Sequence, residues 1–148
     1  MRMNTRIVSC LVGVLLFAGF AVSTDAQVTI PDPGLNAAVR EALQKPVGPL
    51  TQADLLSLNF LSACCRDIKN LQGLEAAQNL RILDLHSNSL TNGAVINSLT
   101  NLQIIDLFQN RLTSFALTSA RSNLTIIDLA FNSLTQCSLP NGLTNLWR

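Results

Sequence analysis

Hydrophobic positions recur along this chain at a fixed interval. Leu80, Leu83, Leu85 and Leu90 set the pattern; twenty-two residues on, the same slots hold Leu102, Ile105, Leu107 and Leu112, and twenty-two further on Leu124, Ile127, Leu129 and Leu134. Asparagine recurs in the same register, as Asn79, Asn101, Asn123 and Asn145, and again as Asn88, Asn110 and Asn132. A degenerate copy precedes these units at Ser57 to Ile68, with Ala63 in a leucine slot and Arg66 in an asparagine slot. A period of this length signals stacked units, each burying its apolar side against its neighbours. Counting the first leucine as position 1, positions 4 and 6 alternate as in a strand with one buried face, and stacking places those strands in a parallel sheet at a spacing of about 4.8 Å. The asparagines fall at turns, where an amide that both donates and accepts can satisfy backbone groups, so both columns have a structural reading. In the less regular second half of each unit, Leu74, Ile96, Leu99 and Leu143 suit inward positions, but Arg121 falls in a leucine column. A buried unpaired charge is costly, so this unit is expected to bulge until the guanidinium reaches water.

The region before the repeats follows a different period. Gln27 to Ile30 is β-like, Asp32 is a candidate N-cap, and Pro33 suits a first helical position. Leu35, Ala38, Val39, Ala42 and Leu43 recur at helical spacing, and Pro46 forbids continuation. Lys45 to Leu50 is a loop; Thr51 to Asp54 forms a near capping box that opens a second, short helix carrying Leu55, Leu56 and Leu58. A stacked array would otherwise expose the apolar cross-section of its first unit, so Leu35, Val39 and Leu43 are expected to pack on it.

The motif L-x-x-L-x-L-x-x-N-x-L resembles the leucine-rich repeat. The stretch IPDPGLNAAVREALQKPVGPLTQADLLSL, with a 22-residue repeat after it, is similar to the helical N-terminal cap of bacterial internalin-like proteins. The resemblance implies an α/β solenoid: a right-handed leucine-rich repeat coil with a parallel β-sheet on its concave face, capped by a short helical segment. The expected organisation is a signal peptide at 1–26, a cap at 27–56, and repeats at 57–148, divided as 57–78, 79–100, 101–122, 123–144 and a truncated 145–148.

Composition adjusts this picture chiefly at the N-terminus. Arg2 and Arg6 precede an apolar run from Ile7 to Val22, and the chain turns polar at Ser23. This has the form of a secretory signal peptide with cleavage before Gln27. The run of about 16 residues falls short of the roughly 20 that a spanning helix needs, so no membrane insertion is expected after cleavage. Removal of residues 1–26 takes Arg2, Arg6 and Asp25 from the ten basic and nine acidic residues, leaving a net charge near zero and no basic patch for nucleic acid. The expected location is secreted or at the cell surface. Cys64, Cys65 and Cys137 remain, an odd set in which neighbours or distant residues would have to pair, and no conventional disulfide is expected.

Positions 3, 5, 7 and 8 are expected to face outward from the sheet. They hold Phe60, Ile82, Ile104 and Ile126; Ser62, Asp84, Asp106 and Asp128; Cys64, His86, Phe108 and Ala130; and Cys65, Ser87, Gln109 and Phe131. The result is an apolar stripe beside an acidic one. Closely spaced carboxylates repel, so their pKa values are expected to rise unless donors or a cation neutralise them. An open run of aliphatics marks a contact surface. The expectation is a non-enzymatic module binding a protein or peptide through Phe60, Ile82, Asp84, Ile104, Asp106, Phe108, Ile126, Asp128 and Phe131, without a cofactor and without assigned catalytic or metal residues. The alternative places a transition-metal or Cys/His-dependent site at Cys64, His86 and Asp84, with Cys65 and Asp106 as further metal donors, or treats the chain as a truncated fragment lacking independent activity. An uncapped C-terminal end, with the strand at Thr125 to Leu129 near a sheet edge, carries the expectation of self-association.

Overall fold

The computed structural model describes residues 26–146. The expected signal segment lies outside the described residues except for Ala26, as do Trp147 and Arg148.

The chain begins with a short strand, β1 (Gln27–Val28), and a helix, α1 (Pro33–Ala42). Asp32 caps the helix: its Oδ1 accepts from the backbone N–H of Leu35 at 3.0 Å, and Pro33 occupies the first turn, where no N–H is needed. The other oxygen of Asp32 accepts from the N–H groups of Lys69 and Asn70, so one side chain starts the helix and ties it to the first repeat unit. Leu35, Ala38 and Val39 are buried, whereas Ala42, expected on the same face, is exposed because the helix is ending there. Arg40 reaches back to the carbonyls of Lys45 and Gly48 just beyond the helix end. Strand β2 (Leu50–Thr51) then pairs antiparallel with β1, and a second helix, α2 (Gln52–Ser57), opens with the expected capping box between Thr51 and Asp54.

The repeat region supplies six further strands of three residues each. In chain order they are β3 (Phe60–Ser62), β4 (Ile82–Asp84), β5 (Ile104–Asp106), β6 (Ser114–Ala116), β7 (Ile126–Asp128) and β8 (Gln136–Ser138). β3, β4, β5 and β7 form a four-stranded parallel sheet in that order, and β6 and β8 form a second parallel pair. Every pairing sets a residue against its equivalent 22 positions on, as in Leu61 with Leu83, Leu83 with Ile105, and Phe115 with Cys137. The repeat period is thus the sheet register, and identical positions stack. The second half of the unit varies: single turns of 3-10 helix at Leu74–Ala76 and Ala94–Ser98 give way to β6 and β8 in the later units.

Both asparagine columns bind one unit to the next. The buried Asn110 donates to the carbonyls of Leu107 in its own turn and Leu85 in the preceding unit, and accepts from the N–H of Leu90. Asn88 and Asn132 repeat this arrangement. Asn79, Asn101 and Asn145 each donate to a carbonyl 23 residues back. The departures in the first copy now have a reason. Its preceding neighbour is α1, so Arg66 reaches across to Glu41 of that helix in an ion pair, and the fully buried Ala63 leaves the helix room to approach.

Arg121 overturns the expectation drawn for it. It does not reach water: it is 3% exposed, and its guanidinium donates to the carbonyls of Leu99 at 2.6 Å, Ile96 at 2.9 Å and Asn97 at 3.1 Å. Those carbonyls belong to the 3-10 turn and its end; Ile96 and Leu99 already accept there from the N–H groups of Leu99 and Leu102, so the guanidinium is a further donor to them. Backbone, not solvent, is the compensating environment for this charge. Only its Nε lacks a partner among the described residues, and burial pushes the pKa of the guanidinium down. Among the described residues a single apolar core runs from Ile30 to Leu124.

Candidate functional site

The face of the four-stranded sheet carries the predicted columns in register. Phe60, Ile82, Ile104 and Ile126 stack at the first position of each strand; the outer pair is exposed and the inner pair half-buried, because each isoleucine covers part of the next. Ser62, Asp84, Asp106 and Asp128 stack at the third position. Beyond the strands, Phe108 and Phe131 meet edge to face with centroids 4.9 Å apart. The structure therefore brings all nine predicted contact residues to one side of the molecule.

Two features of this face differ from expectation. The carboxylates do not stand as a bare row without donors. Each Asp accepts from the N–H two residues ahead: His86 for Asp84, Phe108 for Asp106, Ala130 for Asp128. At Asp84 burial favours the neutral form, but the His86 N–H, the Ser62 hydroxyl at 2.8 Å and the His86 ring outweigh it and hold the carboxyl below its usual range. Local donors thus absorb charge that the sequence left unassigned. The second difference concerns position 8, expected on the sheet itself. The strands end at position 5, and Cys65, Ser87, Gln109 and Phe131 all take the left-handed conformation, with φ of 60°, 55°, 54° and 55°. Four non-glycine residues in that region form a structural column of their own.

At the first two units the columns bring reactive groups together. A ligand atom of His86 and the sulfurs of Cys64 and Cys65 all lie within 4.8 Å of one another. A second set, Asp84, His86 and Asp106, meets the same limit. Nδ1 of His86 lies 2.6 Å from Oδ1 of Asp84, which fixes the ring. As a catalytic dyad the arrangement is poorly tuned. The hydrogen-bonded Cys65 thiol, with burial and the charge of Asp84, pushes the Cys64 thiol up rather than down, whereas an activated thiol nucleophile needs the reverse. All three cysteines are free among the described residues.

Beside Cys64 an open cleft of about 610 Å³ lies between the later turns of α1 and the start of β3, lined by residues including Glu41, Leu43, Phe60 and Arg66. Sequence reasoning missed it, since its walls come from two elements with unrelated periods. The Arg66 substitution in an asparagine column was the one available signal. No helix among the described residues is long and apolar enough to cross a membrane.

No protein-family model matches the chain, and no curated protein matches it significantly. Solved structures do. The functional domain of InlJ from Listeria monocytogenes aligns with 21% identity and a TM-score of 0.61 over 76% of this chain and 31% of that one. An internalin, InlF, from the same organism aligns with 20% identity and a TM-score of 0.55 over 80% and 48%. A Clostridium perfringens ZmpB structure, comprising CBM51-2 and INT domains, aligns with 24% identity and a TM-score of 0.51 over 67% and 22%. These likenesses define the class of fold as internalin-like. The chain spans about a fifth to a half of the length of these three structures.

Proposed function

We propose that this chain is a secreted, non-enzymatic leucine-rich repeat module of internalin type, a right-handed coil that binds a protein or peptide through the face of its four-stranded sheet. One observation carries the reading. An uninterrupted column of Phe60, Ile82, Ile104 and Ile126 lies open on a sheet beside an aspartate column in matching register. Exposed aliphatic and aromatic groups in one contiguous row are costly to leave in water and are the usual core of a contact surface. The aspartates would border that core and favour a partner carrying basic groups. Phe108 and Phe131 extend the apolar area beyond the strands. The domain division, with a signal peptide to residue 26 and a cap to residue 56, belongs to the same proposal and is supported by the charge and apolar pattern of the first 22 residues.

The test is capture from extracellular extract by the purified chain, by an Ile104→Asp variant, and by an Arg111→Asp variant altered outside the nine contact residues. Expected is a partner retained by wild type and Arg111→Asp and lost with Ile104→Asp, with circular dichroism unchanged in all three. Equal capture by all, or capture lost only with Arg111→Asp, would place the contact elsewhere.

A further inference from the structure

We propose that Cys64, Cys65 and His86 form a binding site for one soft divalent transition-metal ion, zinc being the type, with Asp84 orienting the imidazole. Two neighbouring residues in an extended strand point to opposite faces, which would separate the cysteine thiols. Here the left-handed turn at Cys65, φ 60°, bends the chain at that point, and both sulfurs come within 4.8 Å of each other and of a His86 ring nitrogen. The third donor is brought by the sheet register. Phe60, Leu61 and Ser62 pair with Ile82, Leu83 and Asp84, and the Cys65 N–H continues the ladder by donating to the His86 carbonyl at 3.3 Å. Backbone pairing therefore sets both sides of the site.

The donor set selects the metal. Two thiolates and an imidazole suit zinc and other soft or borderline ions, and bonds of about 2.0–2.3 Å would bring the three ligand atoms to roughly 3.4–3.8 Å apart in a tetrahedron. With Nδ1 of His86 held by Asp84, Nε2 is the nitrogen left to coordinate, and a carboxylate behind a ligating histidine is the usual supporting arrangement. The Ser62 hydroxyl in turn holds the other oxygen of Asp84. The competing set of Asp84, His86 and Asp106 is weaker on its own geometry, because both aspartates already accept from backbone N–H groups. Three protein donors leave a fourth position for water or for a group on a bound partner. Binding displaces one proton from each thiol, so the dication meets two thiolates and the centre is neutral; affinity should rise with pH.

Cobalt substitution decides the matter. The purified chain, fully reduced and freed of metal, is titrated with Co²⁺. Expected are one ion per chain, thiolate-to-cobalt charge transfer in the near ultraviolet, intense visible bands of tetrahedral coordination, and displacement by Zn²⁺. Cys64→Ser and Cys65→Ser should each abolish the wild-type spectrum. Asp84→Asn should keep it while weakening affinity about ten- to a hundredfold. Cys137→Ser should leave both unchanged. Absence of thiolate charge transfer overturns the proposal, as does binding that survives loss of both cysteines and depends on Asp106, or binding that requires Cys137.

Discussion

At the scale of single residues, this protein is held together by amides acting between units. Asn110 is 8% exposed and partners three carbonyls and one N–H. Its truncation would strand buried backbone groups, each costing about 1–3 kcal/mol. Asn110→Ala is therefore expected to lower unfolding stability by about 3 kcal/mol in urea titration, whereas Asn101→Ala, exposed and losing one bond, should cost less than about 1 kcal/mol. Equal losses would mean that the inner column carries no special burden. Asp84 sets an acid limit. Its folded pKa lies below the ordinary value of about 3.9, so its contribution to stability is complete above that value and is lost as pH falls through the lowered one. Unfolding midpoints should decline on acidification below about pH 4, and Asp84→Asn should flatten that decline. A variant as acid-sensitive as wild type would assign the effect to other lowered carboxyls, such as Asp54 and Asp67.

The elements are short, and their ends matter more than their middles. Three-residue strands have little stability alone. In the four-stranded sheet each strand leads into a left-handed residue, and at Asn88, Asn110 and Asn132 an asparagine then closes the turn. The 3-10 turn at Ala94–Ser98 is closed differently, by Arg121 from the following unit. Arg121→Leu would restore the apolar column seen at Leu99 and Leu143 but leave three carbonyls without this donor. The expected outcome is a loss of about 2 kcal/mol, read as a lowered melting temperature. An unchanged or raised melting temperature would show that the apolar column outweighs the carbonyl bonds.

Across the molecule as described, α1 and the stacked units share one core, and the approach between them is close. At Gly34 a β-carbon would fall 2.4 Å from the Arg66 carbonyl oxygen and 3.0 Å from Ile68, so α1 lies against the first unit with no room for a methyl group. Gly34→Ala should force the cap away and cost about 1–3 kcal/mol. Because the core is continuous, the lesion should shift one cooperative transition; loss of helix signal well before strand signal would reveal two independent units.

Much of this was written in the chain order itself. A 22-residue period and two asparagine columns determine a parallel stack with identical neighbours, because any other register would bury polar positions. Helix limits at Asp32 and Thr51 follow from capping chemistry local to a few residues. The columns of the exposed face follow from the same period. What local pattern does not contain is compensation from a neighbouring unit. Arg121 looked too costly to bury because its backbone partners lie more than twenty residues away, and the aspartate row looked repulsive because its donors become visible only once the turns are built. The left-handed column bends the chain between Cys64 and Cys65, and no propensity announces four non-glycine residues at positive φ. Period and capping are short-range properties of the chain, while the environment of a charge or a thiol is set by whatever the fold stacks against it.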